Sequence, residues 1–322
     1  MSKTFKVIAN PNAAGGRGAR VLPDLERRLR KAGLEFEIER TSGSGHATAL
    51  ARRALESGTS RILVVGGDGT IHEVANGLLD DSEADGRVDL PAMAILPVGT
   101  GNDFHRMVRA PAGIESAIQT LGSGIERHFE VGRAKWEGGG GRFVNLLGVG
   151  IDVEVLRWRP RFGRLPGLLQ YMGALAGALW THRPVPFELT FVGEDDEAET
   201  LAAPVLLAAL TVGPSIGGGF LLSPKARPDD GLLDLFVVER LGPLKVARYL
   251  PSVLRGRLDG KPDVHRRQIR RLRIRALDDR PFRFELDGEL MATETRFLDI
   301  QVEPRRLRVL ELFDQDEDGR TR

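Results

Sequence analysis

Three glycine-rich turns hold the residue types that could handle phosphate. They are Asn10-Pro11-Asn12-Ala13-Ala14-Gly15-Gly16, Gly66-Gly67-Asp68-Gly69-Thr70 and Gly99-Thr100-Gly101-Asn102-Asp103. Glycine admits positive φ and lets a bulky ligand come close to the backbone. N–H groups at the start of a following helix present partial positive charge to an anion. Two of the turns also carry an aspartate, which would repel bare phosphate. A bridging Mg²⁺ removes the conflict, because a hard cation takes oxygen ligands from protein and phosphate together. A tight turn capped by Asp or Thr would account for any one of them. Three at one sheet edge favour a nucleotide. The chain has neither a G-x-x-x-x-G-K-[ST] stretch nor a G-x-G-x-x-G after its first strand, so it is neither a P-loop protein nor a typical dinucleotide-binding domain.

The elements that must position these turns alternate. "FKVIANP" reads as a strand. "ARVLPDLERRLRKAG" reads as a helix with Val21, Leu25 and Leu29 on one face and Gly33 as its stop. "EFEIERT" alternates like a strand, and "GHATALARRALESG" is helical up to Gly58. "RILVVGG" is a continuous apolar strand, as expected where both faces of a parallel sheet are covered. A helix, "GTIHEVANGLLD", and a strand, "PAMAILPVGTGND", follow. This order predicts an α/β domain with a parallel sheet, whose ligands belong at the carboxyl ends of the strands.

The texture changes after Arg127. Segments such as "RHFEVGRAKW", "GRFVNLLGVGID", "APVLLAALTVG", "RRLRIRAL" and "PFRFELDGE" are strand-like and punctuated by Gly, Pro or acidic turns. Two helices, 165–180 and "LGPLKVARYLPSVLRG", interrupt them. The fold expected is α/β plus all-β: an α/β domain over 1–127, a β-sandwich domain over 128–312 and a polar tail over 313–322.

A chain of 322 residues can bury two cores of ordinary size. Its 41% apolar content excludes a disordered class, and a net charge of +1 argues against a nucleic-acid partner. The absence of cysteine excludes disulfides, thiolate metal sites and a Cys nucleophile. The N-terminus lacks a signal-peptide core. The most apolar helical run, Leu165 to Trp180, is shorter than the roughly 20 residues that span a bilayer. A cytoplasmic protein that touches the inner face of a membrane is expected, with a homodimer left open.

Taken in order, the motifs resemble the catalytic domain of the diacylglycerol kinase family, which includes bacterial lipid kinases and sphingosine and ceramide kinases. "VVGGDGTIHEVANGL" is similar to its signature, and "ANPNAAGGRG", "TSGSGHATALAR" and "LPVGTGNDF" are similar to its other N-terminal motifs. "GPSIGGGFLLSPKARPDDGLLDL" and "ELDGE" resemble two signatures of its second half. The resemblance implies a three-layer N-terminal domain of the NAD kinase and phosphofructokinase kind, a C-terminal β-sandwich, and ATP in the cleft between them. It implies that Asn10, Thr41, Gly66, Gly67, Asp68, Gly69, Thr70, Thr100 and Asn102 bind ATP, and that Asp68 and Asp103 organise the catalytic Mg²⁺. Glu289 matches the catalytic base, with Asp287 two residues away to orient it. Glu130 stands where the family usually has Asp in the Mg²⁺ network, one methylene longer. "RPDDGLLD" matches a second, structural cation site, with a side-chain oxygen from Asp230 and backbone carbonyls from Arg227 and Leu232. A hairpin that needs no metal explains that loop equally well.

The acceptor is less legible. Arg157, Arg159, Arg161 and Arg164 alternate with Trp158 and Phe162 beside the apolar helix, which suits an anionic membrane surface. Arg271, Arg273 and Arg275 alternate with Leu272, Ile274 and Ala276, as on a strand with one wet face. The expected function is an ATP-dependent lipid kinase, with diacylglycerol to phosphatidic acid as the leading reaction. Another lipid acceptor (sphingosine or ceramide), a soluble acceptor as in NAD kinase, and a silent nucleotide- or lipid-binding protein stay open.

Overall fold

The structure, a computed structural model, describes residues 4–79, 90–99, 101–108, 114–163, 165, 167–258 and 260–312. The polar tail over 313–322 lies outside them. The chain forms two compact units, one with the residues up to Phe129 and those from Arg305 onward, the other Glu130–Pro304.

The first unit runs β1 (Phe5–Ala9), α1 (Ala13–Lys31), β2 (Phe36–Arg40), α2 (His46–Glu56), β3 (Arg61–Gly66), α3 (Asp68–Leu79), β4 (Ala92–Pro97), α4 (Asp103–Met107) and α5 (Ile114–Thr120). Its strands pair in parallel in the order β2-β1-β3-β4. All four carboxyl ends therefore lie along one edge. Val7, Leu63, Val65, Ala94 and Leu96 share a core with Leu22, Leu25 and Leu29 of α1 and with Ala117 and Ile118 of α5. Strand alternation sends Ile8, Ile62, Val64 and Ile95 to the other face, and α2 and α3 bury Leu50, Ala54, Ile71 and Val74. Both faces are covered, which is why these strands read as continuous apolar runs. Helix α1 buries Leu22 where the sequence pointed to Val21, which is only partly buried. Gly33 and Gly58 end α1 and α2 with positive φ, as left-handed stops.

The second unit takes the part of β5 (Ile125–Trp136) from Glu130 onward, followed by β6 (Gly139–Phe143), β7 (Leu146–Gly150), α6 (Ile151–Trp158) and a short 3-10 turn (Arg159–Phe162). Next come α7 (Gly167–Thr181), β8 (Val185–Val192), β9 (Ala198–Thr211), β10 (Leu233–Glu239), α8 (Pro243–Leu254), β11 (Val264–Ile269), β12 (Arg271–Ala276), β13 (Phe284–Leu286), β14 (Glu289–Leu290) and β15 (Phe297–Glu311). The strands pair antiparallel along β14-β13-β7-β9-β8-β12-β15, and β9 also pairs with β10, which pairs with β11. In β12, Leu272, Ile274 and Ala276 are buried while the three arginines between them are exposed, and Arg273 holds Asp299 across the ladder.

Helices α6, α7 and α8 pack over an apolar cluster that includes Val155, Ala174, Ala178, Leu206, Phe236 and Tyr249. The glycines of α7 have a packing role. A side chain on Gly177 would overlap the Trp158 ring, and one on Gly173 would overlap Phe162. Among the described residues no helix is long and apolar enough to cross a membrane.

The domain boundary differs from the sequence reading, which carried the second domain to 312. The chain returns to the first unit at Arg305, where Val309 pairs in parallel with Met93 and Leu310 and Leu312 enter the α1–α5 core. A strand-like run shows its own period but not which core will receive it.

Candidate active site

The carboxyl edge of the first unit's sheet gathers the glycine turns. At the end of β1, Asn10 N–H donates to the Val65 carbonyl at 2.9 Å, and Asn10 Nδ2 donates to Thr70 Oγ1 at 3.0 Å. Thr41 joins the same strand end by donating its N–H to the Ala9 carbonyl at 2.9 Å. The Asn10 turn passes through Ala14, Gly15 and Gly16 with positive φ before α1 becomes regular. Gly18 then packs on the turn: any side chain there would overlap the Asn10 carbonyl.

The Gly66–Thr70 and Gly99–Asp103 turns lie back to back. A methyl on Gly99 would sit 2.6 Å from the Gly67 Cα, and Val98 N–H donates to the Gly66 carbonyl at 2.9 Å. A methyl on Gly66 would sit 2.6 Å from Thr70 Cβ, so the glycine is what lets Thr70 turn inward, where it is buried. Asp68 opens α3, with Gly69 beside it, and its Oδ1 accepts the Phe104 N–H at 3.1 Å. Phe104 directly follows Asp103, so the two aspartates of the two turns are neighbours. Asp103 is buried, and its Oδ1 accepts from Arg106 at 2.7 Å. Asn102 adopts φ +54 and donates to the Gly99 carbonyl, leaving its Oδ1 buried with no partner. Thr100 lies outside the described residues.

Glu73 escaped the sequence reading. Its carboxylate accepts the Gly45 and Ala47 N–H groups at 2.8 and 3.0 Å, and its carbonyl accepts from Thr48 Oγ1. It thus clamps the start of α2, and with it the segment after Thr41, onto α3. Its position five residues beyond Asp68 was the only available signal.

In the second unit the "ELDGE" stretch forms the β13–β14 turn. Asp287 adopts φ +52. Its carboxylate accepts three backbone N–H groups, from Val144 at 2.9 Å and from Asn145 and Leu146 at 2.8 Å each. Both of its oxygens are thereby committed to the 144–146 backbone. Asp287 holds the turn that carries Glu289; the sequence had placed Asp287 there to orient Glu289. Glu289 opens β14 and is exposed.

Glu130 and the Arg227–Leu232 loop, treated separately in the sequence, come together. Glu130 N–H donates to the Pro228 carbonyl at 2.8 Å, and its Oε1 accepts the Gly231 N–H at 2.7 Å. Oε2 is buried without a partner. Burial pushes the Glu130 carboxyl up to about 7, with Asp230 and Asp229 adding to the rise. Asp230 accepts from Leu232 N–H and from Gln268, and burial raises it too. Burial and then Asp230 push Asp234 up to about 6. This concentration of raised acids would be relieved by a cation. Among the described residues no three acidic or histidine side chains converge into a ready cage. A cation here would therefore also need backbone oxygens, as the resemblance implies for Arg227 and Leu232.

Beneath α7 and α8 lies an apolar pocket of about 130 Å³. Leu175, Leu207, Phe220, Val246 and Val253 line it, and Asp152 reaches its wall.

Residues 4–134 match the diacylglycerol kinase catalytic domain, and residues 145–311 match the YegS C-terminal NAD kinase beta sandwich-like domain. A diacylglycerol kinase of Staphylococcus saprophyticus subsp. saprophyticus is 29% identical over 290 residues, 90% of each chain. One from Bacillus subtilis (strain 168) is 28% identical over 289 residues, 89% of this chain and 90% of its own. A protein of Chromohalobacter salexigens described as "Probable lipid kinase YegS-like" is 32% identical over 235 residues, 71% of each chain. The fold is also that of a crystal structure described as a diacylglycerol kinase from Bacillus anthracis str. Sterne, at TM-score 0.71 and 21% identity over 99% of this chain and 98% of that one.

Proposed function

The chain belongs to the diacylglycerol kinase catalytic-domain family, whose enzymes are phosphotransferases with an alcohol acceptor, and from that premise we propose that it moves the γ-phosphate of ATP to a lipid hydroxyl, converting diacylglycerol to phosphatidic acid. The observation that carries the lipid reading is the apolar pocket under α7 and α8, whose walls suit an acyl chain.

The first unit supplies the nucleotide groups. The Gly67 carbonyl takes the Thr70 and Ile71 N–H groups at 2.9 and 3.1 Å, so phosphate oxygens are received by the glycine-turn N–H groups ahead of them, at the positive end of α3. Thr70, held by Asn10, donates its hydroxyl at the same turn, and Thr41 and Asn102 complete the rim. Hard oxygen donors suit Mg²⁺, and Asp68 and Asp103, tied together through the Phe104 N–H, would hold it. Held there, Mg²⁺ would supply positive charge to offset that of the phosphates. In the second unit Glu289 accepts the proton of the attacking hydroxyl, a role worth about 10²–10⁴ in rate. Asp287 fixes the turn from which Glu289 projects.

The membrane face on this reading is the outer side of the α6–α7 pair. Arg161 lies 4.4 Å over the Trp158 ring, and Trp158 Nε1 donates to Thr181 Oγ1 at 3.1 Å. Beside Thr181, Trp180 is 90% exposed, and Leu244 at the start of α8 is 89% exposed. Exposed aromatic and basic groups together suit a headgroup layer. Arg164 lies outside the described residues.

The test is transfer from γ-labelled ATP into mixed micelles of diacylglycerol, ceramide, sphingosine or monoacylglycerol, with wild type and Glu289→Gln. Labelled phosphatidic acid that disappears in the variant supports the reading. Label in another lipid corrects the acceptor. No labelled lipid from any micelle, with ATP still bound, would favour a soluble acceptor or a silent binding protein.

A further inference from the structure

Two carboxyl groups of the second unit are buried against each other, and the steps above use neither. Asp152 lies in the first turn of α6, and Glu285 lies at the centre of β13. Gly148 of β7 is the cross-strand partner of Glu285. A methyl on Gly148 would overlap Asp152 Oδ2 and sit 2.7 Å from Glu285 Oε1, so both oxygens fill the space that the missing side chain leaves. Both are buried, and as carboxylate oxygens neither has a donor. Two ionised carboxylates at such a spot repel each other and lack solvation. One proton cures both defects, because the protonated group donates to the other. Burial holds Glu285 well above the ordinary carboxylate range, and Asp152 and Asp287 add to the rise; burial raises Asp152 as well. The second Glu285 oxygen, Oε2, accepts the Gly288 N–H at 2.6 Å. Gly288 has φ +86 and immediately precedes Glu289.

We propose that Asp152 and Glu285 form a carboxyl pair sharing one proton, and that this pair positions the Asp287–Gly288–Glu289 turn for phosphoryl transfer. The positioning role rests on the reading of Glu289 as base; the shared proton does not. The groups acting on Glu285 are Asp152 from α6 and Asp287 from the turn itself, both acidic. Nothing cationic among them offsets the second charge when the proton leaves. Both carboxyls are raised, so the folded protein keeps a proton that the unfolded chain has shed. The stability of the ordered turn therefore declines as pH rises from the ordinary carboxylate range towards those raised values. Asp152 also lies on the wall of the apolar pocket, so the pair joins the acceptor side to the turn carrying Glu289.

The test uses the full chain and two readouts. At neutral pH the wild-type-minus-Glu285→Gln infrared difference should show a protonated carboxylic acid band beyond the one Glu130 gives in both proteins. The Gln amide can donate to Asp152 and still accept from Gly288, so this variant copies the protonated pair. It should keep neutral kcat within about threefold and lose the alkaline fall of kcat that the shared proton predicts for wild type. Glu285→Ala should lower kcat about tenfold or more with KM for ATP unchanged, because a turn displaced by a fraction of an ångström misplaces the base. If Glu285→Ala does not fold, Glu285→Gln alone decides. A difference spectrum without that acid band overturns the shared proton. An alkaline limb that survives in Glu285→Gln overturns the positioning role. Full turnover by Glu289→Gln also overturns that role and sinks the base assignment, while the acid band still reports the pair.

Discussion

Asn10 Nδ2 donates to Thr70 Oγ1 at 3.0 Å, tying the turn after the first strand to the turn after the third. The bond orients the Thr70 hydroxyl, so its oxygen accepts from Asn10 and its proton is free to point at a ligand. Thr70→Val keeps the shape and removes both functions. KM for ATP should rise about five- to tenfold, the loss of one hydrogen bond worth about 1 kcal/mol. Asn10→Ala should cost a similar factor, and the double variant should cost less than the product of the two, because both remove the same bond. Steady-state kinetics of the three variants check this. Effects that multiply independently would mean that the bond does not organise the turn.

Asp68 has two tasks, because its Oδ1 accepts the Phe104 N–H as well as serving the proposed metal. Asp68→Ala would confuse them by leaving a backbone donor unpaired. Asp68→Asn keeps an acceptor oxygen and removes the charge. It should melt within about 2 °C of wild type and lose about 10²-fold or more in kcat. Turnover near wild type in a folded Asp68→Asn would remove the metal role.

Asp287 and Glu289 should separate stability from chemistry. Asp287→Ala strands three N–H groups in a buried turn, each costing about 1–3 kcal/mol. Urea unfolding should show a loss of at least about 3 kcal/mol. Glu289 is exposed, so Glu289→Gln should unfold within about 0.5 kcal/mol of wild type while losing activity. The reverse pattern would place the chemistry at Asp287.

The pocket predicts chain-length dependence. Val253→Phe narrows it from the α8 side. Excluding two methylenes at about 0.8 kcal/mol each should raise KM for long-chain diacylglycerol about tenfold. KM for ATP and for a short-chain acceptor should barely move. Equal effects on long and short acceptors would argue against an acyl chain in this pocket.

The sequence disclosed what local rules control. Gly66–Thr70 was legible because it is one of three glycine turns that the strand order brings to the same sheet edge, which a lone capped turn does not explain. The β12 alternation was legible because the period of a half-buried strand needs only its own residues. What stayed hidden depends on partners far along the chain. Glu73 looks like any exposed acid on a helix until α2 arrives above it. Glu285 looks like one more residue of a short strand until Gly148 places Asp152 against it. Asp287 lay beside a catalytic candidate, and proximity suggested orientation; its real partners lie more than a hundred residues upstream. Glu130 was found by its place in a motif, but its bond to Gly231 was not.

The return of the chain at Arg305 sets an order of assembly during synthesis. The second unit is one uninterrupted stretch, Glu130–Pro304, and all of it has been made before the first unit receives its last strand. The first unit's core waits for Leu307, Val309, Leu310 and Leu312, each almost wholly buried. On the ribosome, the N-terminal half therefore emerges first and matures last. Until the C-terminal residues arrive, its Met93 edge and the apolar surface of α5 stand open to chaperones and to aggregation.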